Sequence, residues 1–391
     1  MKKLLLVLCL ALSIAAHAQR PHNIIIVTTD GFRWQDLFKG MDDTIAQQKR
    51  FNEGDSLGLI KKYGGATMQE RREKIMPFFW NTIATKGQVY GNRLFGNNIN
   101  TENPHWFSYP GYSEIFTGYV DERINSNDHP ANPNTTVLGF FNAQPELKGK
   151  VFAFSAWEAF NRILNEKASG VPVTAAYDTL GFKNLTTNER LLNKLHQQSY
   201  RPWAEECYDV FTHFNAMETL KNRKPRVLYI AYGETDEWSH AGKYKSYLNA
   251  ANQLDKWLEE IWNFVQSDPQ YKNNTTLFIT SDHGRGDVVK EKWTSHGDKI
   301  EGASQIWMAV MGPNTPALGE VKTPAQYYQK QYAQTIASLF GHAVCWNGCV
   351  LQLQFVGRAA IRFQLVSLGA CGCCVLRISR SIAQHVAHLS K

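Results

Sequence analysis

Between residues 19 and 340 there is a single cysteine, Cys207. One thiol cannot build a disulfide framework, so this stretch must hold itself together by burying an apolar core. Acidic residues are missing altogether from 341 to 391, where Arg358, Arg362, Arg377, Arg380 and Lys391 carry +5 of the formal net charge of +7. The rest of the chain is nearly balanced, with 37 Lys and Arg against 35 Asp and Glu. It therefore offers no broad basic field, and a nucleic-acid polymer is not expected as a partner. The G-x-S-x-G elbow of activated serines is also missing, because Gly111-Tyr112-Ser113-Glu114-Ile115 lacks the second glycine. A nucleophile in "WFSYPGYSEIFTG" (106–118), with Ser108, Ser113 and Thr117 as its hydroxyls, would need an activator from elsewhere.

The chain opens with Lys2 and Lys3, an apolar run from Leu4 to Ala16 and the small-residue sequence Ala16-His17-Ala18. This pattern reads as a secretory signal over residues 1–18, and it predicts a periplasmic or secreted protein with no membrane span after cleavage. One catalytic domain over 19–340 is expected. The segment 341–391 reads as an atypical basic, cysteine-rich tail with Cys345, Cys349, Cys371, Cys373 and Cys374. It is either a poorly patterned extension or translation in a shifted frame; re-sequencing of the coding DNA that preserves the frame would exclude the second.

Within the domain, strand-length apolar runs recur: "NIIIVTTDG" (23–31), "QVYGNRLF" (88–95), "KVFAFSAW" (150–157), "RVLYIAYG" (226–233), "TTLFITSDHG" (275–284) and "QIWMAVMGP" (305–313). Runs this continuously apolar fit strands covered on both faces. Residues 243–266 repeat apolar positions at helical spacing, and 332–340 form a shorter helical pattern. Polar stretches at 38–75 and 119–137 read as surface loops, and there is no internal period. The expected fold is α/β: a doubly wound, mostly parallel sheet flanked by helices, with loop insertions. Ligands in such folds sit beyond the carboxyl ends of the strands.

Metal-ligating residue types stand at those ends. Asp30 follows the first strand, Asp236 and His240 the fourth, and Asp282 and His283 the fifth; His296 comes shortly after. Each has a bland alternative: Asp30 as a turn former or N-cap, the D-x-x-x-H spacing as a chance helical pair, Asp282-His283 as a polar turn, and His296 as a loop histidine. Taken together, three carboxylates and three imidazoles suit two divalent ions, zinc first and manganese as the alternative. A hydroxyl held by a dication loses its proton near neutral pH without a general base. Two zinc ions, three carboxylates and one serine alkoxide would leave a neutral site for an incoming phosphate.

In this order, these motifs over about residues 22–300 resemble the alkaline phosphatase superfamily, and most closely its nucleotide pyrophosphatase/phosphodiesterase branch. The resemblance implies an alkaline phosphatase-like fold, with Ser108 of Ser108-Tyr109-Pro110 as nucleophile and metal ligand. It places Asp236, His240 and His296 on one zinc, and Asp30, Asp282 and His283 on the other. It also implies a phosphoryl-binding asparagine, Asn127, with Asn125 as the alternative. Ser113 and Thr117 become structural, and Gly111, Tyr112 and Ser113 would begin the following helix. The implied activity is hydrolysis of small phosphate mono- or diesters through a phosphoseryl intermediate. The alternatives are a sulfatase-like member, a phosphoglycerate mutase-like member, and a non-catalytic phosphate- or glycan-binding relative. Tyr112, standing where sulfatases carry arginine, argues against sulfate esters. Glu158-Ala159-Phe160-Asn161-Arg162 replaces the Lys-x-Arg of some secreted phosphomonoesterases.

Overall fold

In the computed structural model, the described residues are 23–339. The expected signal segment (1–18) and the tail (341–391) lie outside them. Strand β1 (Asn23–Thr29) is buried along its whole length, with Ile25 and Val27 in one apolar core and Ile24 and Ile26 in another. A strand that puts apolar side chains on both faces is stable only with a layer on each side. The remaining strands are β2 (Gln88–Tyr90), β3 (Asn97–Asn100), β4 (Val151–Ser155), β5 (Val173–Ala175), β6 (Val227–Tyr232), β7 (Thr275–Thr280), β8 (Gln305–Ile306), β9 (Met308–Met311), β10 (Gly319–Glu320) and β11 (Ala325–Tyr328). Eight of them form the main sheet in the order β10-β2-β9-β7-β1-β6-β4-β5, and β11-β3-β8 form a small second sheet.

The centre of the main sheet is parallel: β1 lies between β6 and β7, and β4 pairs with β6 and β5. Strand β9 runs antiparallel to both β7 and β2, so the sheet is mixed on that side. Parallel central strands send all their carboxyl ends to one edge. The ends of β1, β6 and β7 are immediate neighbours there.

Five helices matter for that edge: α1 (Ser108–Thr117), α2 (Asp209–Arg223), α3 (Glu234–His240), α4 (Tyr244–Ser267) and α5 (Gln331–Leu339). On one face α2 and α4 bury Met217, Leu220, Leu248, Leu254, Leu258 and Ile261; on the other, α1 and α5 bury Ile115, Phe116, Tyr332 and Ile336. Helix α4 covers nearly the segment its periodicity predicts.

Three expectations change. The polar stretch 38–75 is largely helical, because Asp42, Asp55 and Thr67 cap short helices with their side-chain oxygens. "QVYGNRLF" is a strand only to Tyr90, since Asn92 accepts from the Leu94 amide and turns the chain. "QIWMAVMGP" divides at Trp307 between the two sheets, and the Trp307 indole donates to the Phe32 carbonyl at 2.9 Å.

Candidate metal centre and nucleophile

Asp30 follows β1 directly and is buried. The next residue, Gly31, has φ +57, and a Cβ there would lie 2.7 Å from Asp236 Oδ1 and 3.1 Å from His283 Cε1. Only glycine lets the β1 turn pass this close to the side chains that follow β6 and β7. The Gly31 amide donates to Asp282 Oδ1 at 3.1 Å, which ties the end of β1 to the end of β7.

Helix α3 begins just after β6, and its i,i+4 spacing puts Asp236 and His240 on one face, 3.0 Å apart at Oδ2 and Nε2. His296 arrives on the loop after β7; its Nε2 lies 3.0 Å from that of His240 and 3.8 Å from Asp236 Oδ1. Candidate ligand atoms of Asp236, His240 and His296 all fall within 4.8 Å of one another, as do those of Asp30, Asp282 and His283. The two groups adjoin: the His283 and His296 rings stack at 4.0 Å, and His283 Nε2 is 3.8 Å from Asp236 Oδ1.

Whether these residues fit a cation can be judged from atoms that have nothing else to bind. His283 Nδ1 lies 3.0 Å from the Gly284 carbonyl, an acceptor only, so Nδ1 carries the proton and Nε2 faces inward. Around that Nε2 stand Asp30 Oδ1 at 3.2 Å and Asp282 Oδ2 at 3.4 Å; both oxygens are buried and close no hydrogen bond. Two carboxylates at such a separation repel by about 3 kcal/mol at an effective dielectric near 20. Without a cation the protein answers by holding protons. Burial and Asp30 push Asp282 up to about 8, and Asp282 and Asp30 outweigh burial to push His283 up to about 9. His240 is lowered by burial and by His283, and His296 lies well below its ordinary value through burial, His283 and Arg285. The neutral imidazoles of His240 and His296, the imidazole of His283 once a cation displaces its proton, and crowded carboxylates are the donor set that divalent transition metals take.

Ser108 is the first residue of α1, three positions before the expected start. Pro110 then falls in the first turn, where its missing N–H is no loss. Ser108 Oγ lies 3.3 Å from His283 Nε2, at the edge of the second group. Asn127 Oδ1 accepts from the Tyr109 amide at 3.0 Å, which brings Asn127 to the same helix start, whereas Asn125 is exposed. Ser113 accepts from Asn132 Nδ2, and Thr117 donates to the Ser113 carbonyl; neither is near the ligands in these contacts. Arg162 is engaged elsewhere, pairing with Glu158 at 2.7 Å and donating to the His129 carbonyl.

Two contributors escape the sequence reading. Tyr112 Oη donates to Asp30 Oδ2 at 3.0 Å, so the residue at the sulfatase arginine position orients a candidate ligand. Arg285 is fully buried and donates to Asp236 Oδ1. Its place directly after the S-D-H-G motif was the only signal, and charge type alone does not show where a side chain points.

Residues 206–313 match the family model described as Metalloenzyme superfamily. A curated relative from Leptospira interrogans, named "Probable 2,3-bisphosphoglycerate-independent phosphoglycerate mutase", is 22% identical over 253 residues, covering 58% of this chain and 44% of that protein. A 2,3-bisphosphoglycerate-independent phosphoglycerate mutase of Gracilaria tenuistipitata var. liui is 30% identical over 86 residues, 21% of this chain and 16% of the relative. The chain thus spans less than half the length of these relatives. Among solved structures, alkaline phosphatase PafA superposes with a TM-score of 0.53 at 12% identity, over 82% of this chain and 96% of that one. A 2-O GAG sulfatase superposes with a TM-score of 0.51 at 13% identity, over 85% and 73%. The fold is alkaline phosphatase-like, and the matches do not single out a nucleotide pyrophosphatase/phosphodiesterase.

Proposed function

We propose that this chain is an exported hydrolase of small phosphate esters, working with two divalent ions, most fittingly zinc, and with Ser108 as nucleophile. The observation that carries the proposal is the placement of Ser108 Oγ beside His283 of the second of two adjoining three-residue ligand groups, in which Asp30 Oδ1 and Asp282 Oδ2 are buried without a hydrogen-bond partner. When bound, the ions would favour the serine alkoxide and stabilise the charge on the departing oxygen. Asp236, His240 and His296 would hold one, and Asp30, Asp282 and His283 the other.

Ser108 Oγ attacks phosphorus in line; the Oγ–P bond forms as the bond to the leaving oxygen breaks. Water then attacks the phosphoserine, releasing phosphate or a monoester and restoring the hydroxyl. Asn127, held at the helix start through its Oδ1, directs its Nδ2 donor toward a phosphoryl oxygen. The amino end of α1 favours the anion, and Tyr112 keeps Asp30 in one orientation.

Diesters are the better substrates in this proposal. Arg162 is paired with Glu158. With Arg162 so engaged, that position supplies no free cation for the second negative charge of a monoester dianion. Sulfate esters are disfavoured by Tyr112. A mutase reading, favoured by the curated relatives, shares every step up to the phosphoserine and differs only in the acceptor that takes the phosphoryl group. Export rests on the leader pattern.

The test is hydrolysis of aryl phosphate diesters, monoesters and sulfates by zinc-loaded protein. Diester turnover above monoester turnover, with free phosphate or monoester as product, supports the proposal. Activity that survives both Ser108→Ala and chelation, or a preference for sulfate, overturns it.

A further inference from the structure

Helix α1 carries, two turns beyond Ser108, a fully buried carboxylate that the chemistry above does not use. Glu114 accepts from the Glu102 amide at 3.0 Å, the Asn103 amide at 3.0 Å, Asn103 Nδ2 at 2.8 Å and the Lys330 amide at 3.0 Å. Burial raises its pKa, while the amide donors from Asn103 and Glu102 act to lower it. A carboxylate is the side chain that can accept from so many donors at once.

Asn103, fixed in this way, accepts through Oδ1 from the amides of His105 and Trp106, both at 3.1 Å. The chain then passes through Trp106 with φ +53, a left-handed conformation that is costly for a bulky residue and persists only when its surroundings enforce it. The result is a carbonyl that reaches the other ligand loop. Trp106 O accepts from the Gly297 amide at 3.0 Å, next to His296. His296 Nδ1, on the preceding residue, is buried and closes no hydrogen bond.

We infer that Glu114 is a positioning residue: through Asn103 it holds Trp106 in the left-handed conformation that presents the Trp106 carbonyl to the loop carrying His296. A histidine that offers Nε2 to a metal must be held in place, and the bond from the Gly297 amide to Trp106 O fixes the loop at the residue next to His296. The nucleophile helix and the distant ligand His296 are thereby tied together by one buried acid. The inference rests on the two-metal reading.

The test titrates zinc into chelator-stripped, full-length protein against a competing chelator, with wild type, Glu114→Gln, Trp106→Val and Trp106→Gly compared, and thermal midpoints measured alongside. Glutamine offers a donor where the site supplies donors, and valine resists a positive φ, so each should weaken one of two zinc equivalents about 10-fold or more. Glycine adopts the conformation freely and keeps the carbonyl, so Trp106→Gly should retain wild-type zinc affinity although it loses a large side chain. If Glu114→Gln does not fold, the two Trp106 variants decide. Equal affinities in Val and Gly variants, or an equal loss in both, overturns the inference while leaving the metal centre standing. Wild type binding fewer than two zinc ions overturns the two-metal reading itself.

Discussion

Ser108 and Tyr112 lie four residues apart on α1 and act on different partners. Removing the Ser108 hydroxyl takes away the proposed attacking atom and leaves the six candidate Asp and His ligands in place. Ser108→Ala is therefore expected to lower kcat by roughly 10³-fold or more, with zinc still bound; steady-state kinetics beside metal analysis checks both halves. Tyr112→Phe deletes the 3.0 Å hydrogen bond to Asp30. A lost ligand-orienting contact of this kind typically weakens metal binding by about 10- to 100-fold, so the variant should need more zinc for full activity and approach wild-type turnover when saturated. A variant that stays slow in excess zinc would assign Tyr112 a different task. The roles of the two residues were unequally legible. Ser108 was marked by the proline two residues on, whereas Tyr112 was identified by what it is not, an arginine, and its contact with Asp30 follows only from packing α1 against β1.

At the scale of elements, the close approach of α1 to β7 and the anchoring of α4 each rest on one residue. A Cβ on Gly111 would lie 2.6 Å from the Asp282 carbonyl oxygen. Because that atom is backbone at a ligand position, Gly111→Ala must push the nucleophile helix away from the ligands, at a cost of roughly 1–3 kcal/mol. Activity should fall by more than the thermal midpoint suggests, since a small displacement of Ser108 matters more to attack than to folding. On α4, Asp255 accepts from the amides of Phe78 and Phe79, both at 2.7 Å, and burial pushes it up to about 7. Folding thus holds its proton. The stabilisation is complete below about pH 4 and is lost as the pH rises through about 7, a change of about 4 kcal/mol. Urea midpoints of Asp255→Asn should show a flatter dependence across that window than wild type. Periodicity was sufficient to place α4 and the central strands, because their side chains are sorted by burial alone. It failed at 38–75, where short helices are fixed by caps in a polar sequence, and at 305–313, where one apolar run serves two sheets.

For the whole molecule, the edge where β1, β6 and β7 end gathers three carboxylates that repel one another, so ions bound there would be thermodynamically linked to the fold. Stripping the metals with a chelator is expected to lower the thermal midpoint and abolish turnover, and added zinc should restore both. A midpoint indifferent to chelation would contradict the linkage. No helix among the described residues is long and apolar enough to cross a membrane. The ligand residue types and their order along the chain could be read from the sequence, because each follows an apolar strand. Their grouping into two sets entered as an implication of family resemblance, and their distances required the sheet order, which brings residues 30, 236 and 282 together. The Glu114 network had no sequence signal, since a left-handed tryptophan has no compositional mark.

The claim that Ser108 carries the phosphoryl group is tested most directly by mass spectrometry of zinc-loaded enzyme, acid-quenched during turnover of an aryl phosphate diester. The account predicts a phosphorylated species on the peptide containing Ser108, with the group on that residue and absent from Ser108→Ala. Modification at another residue, or turnover with no phosphorylated enzyme and undiminished activity in Ser108→Ala, would contradict it.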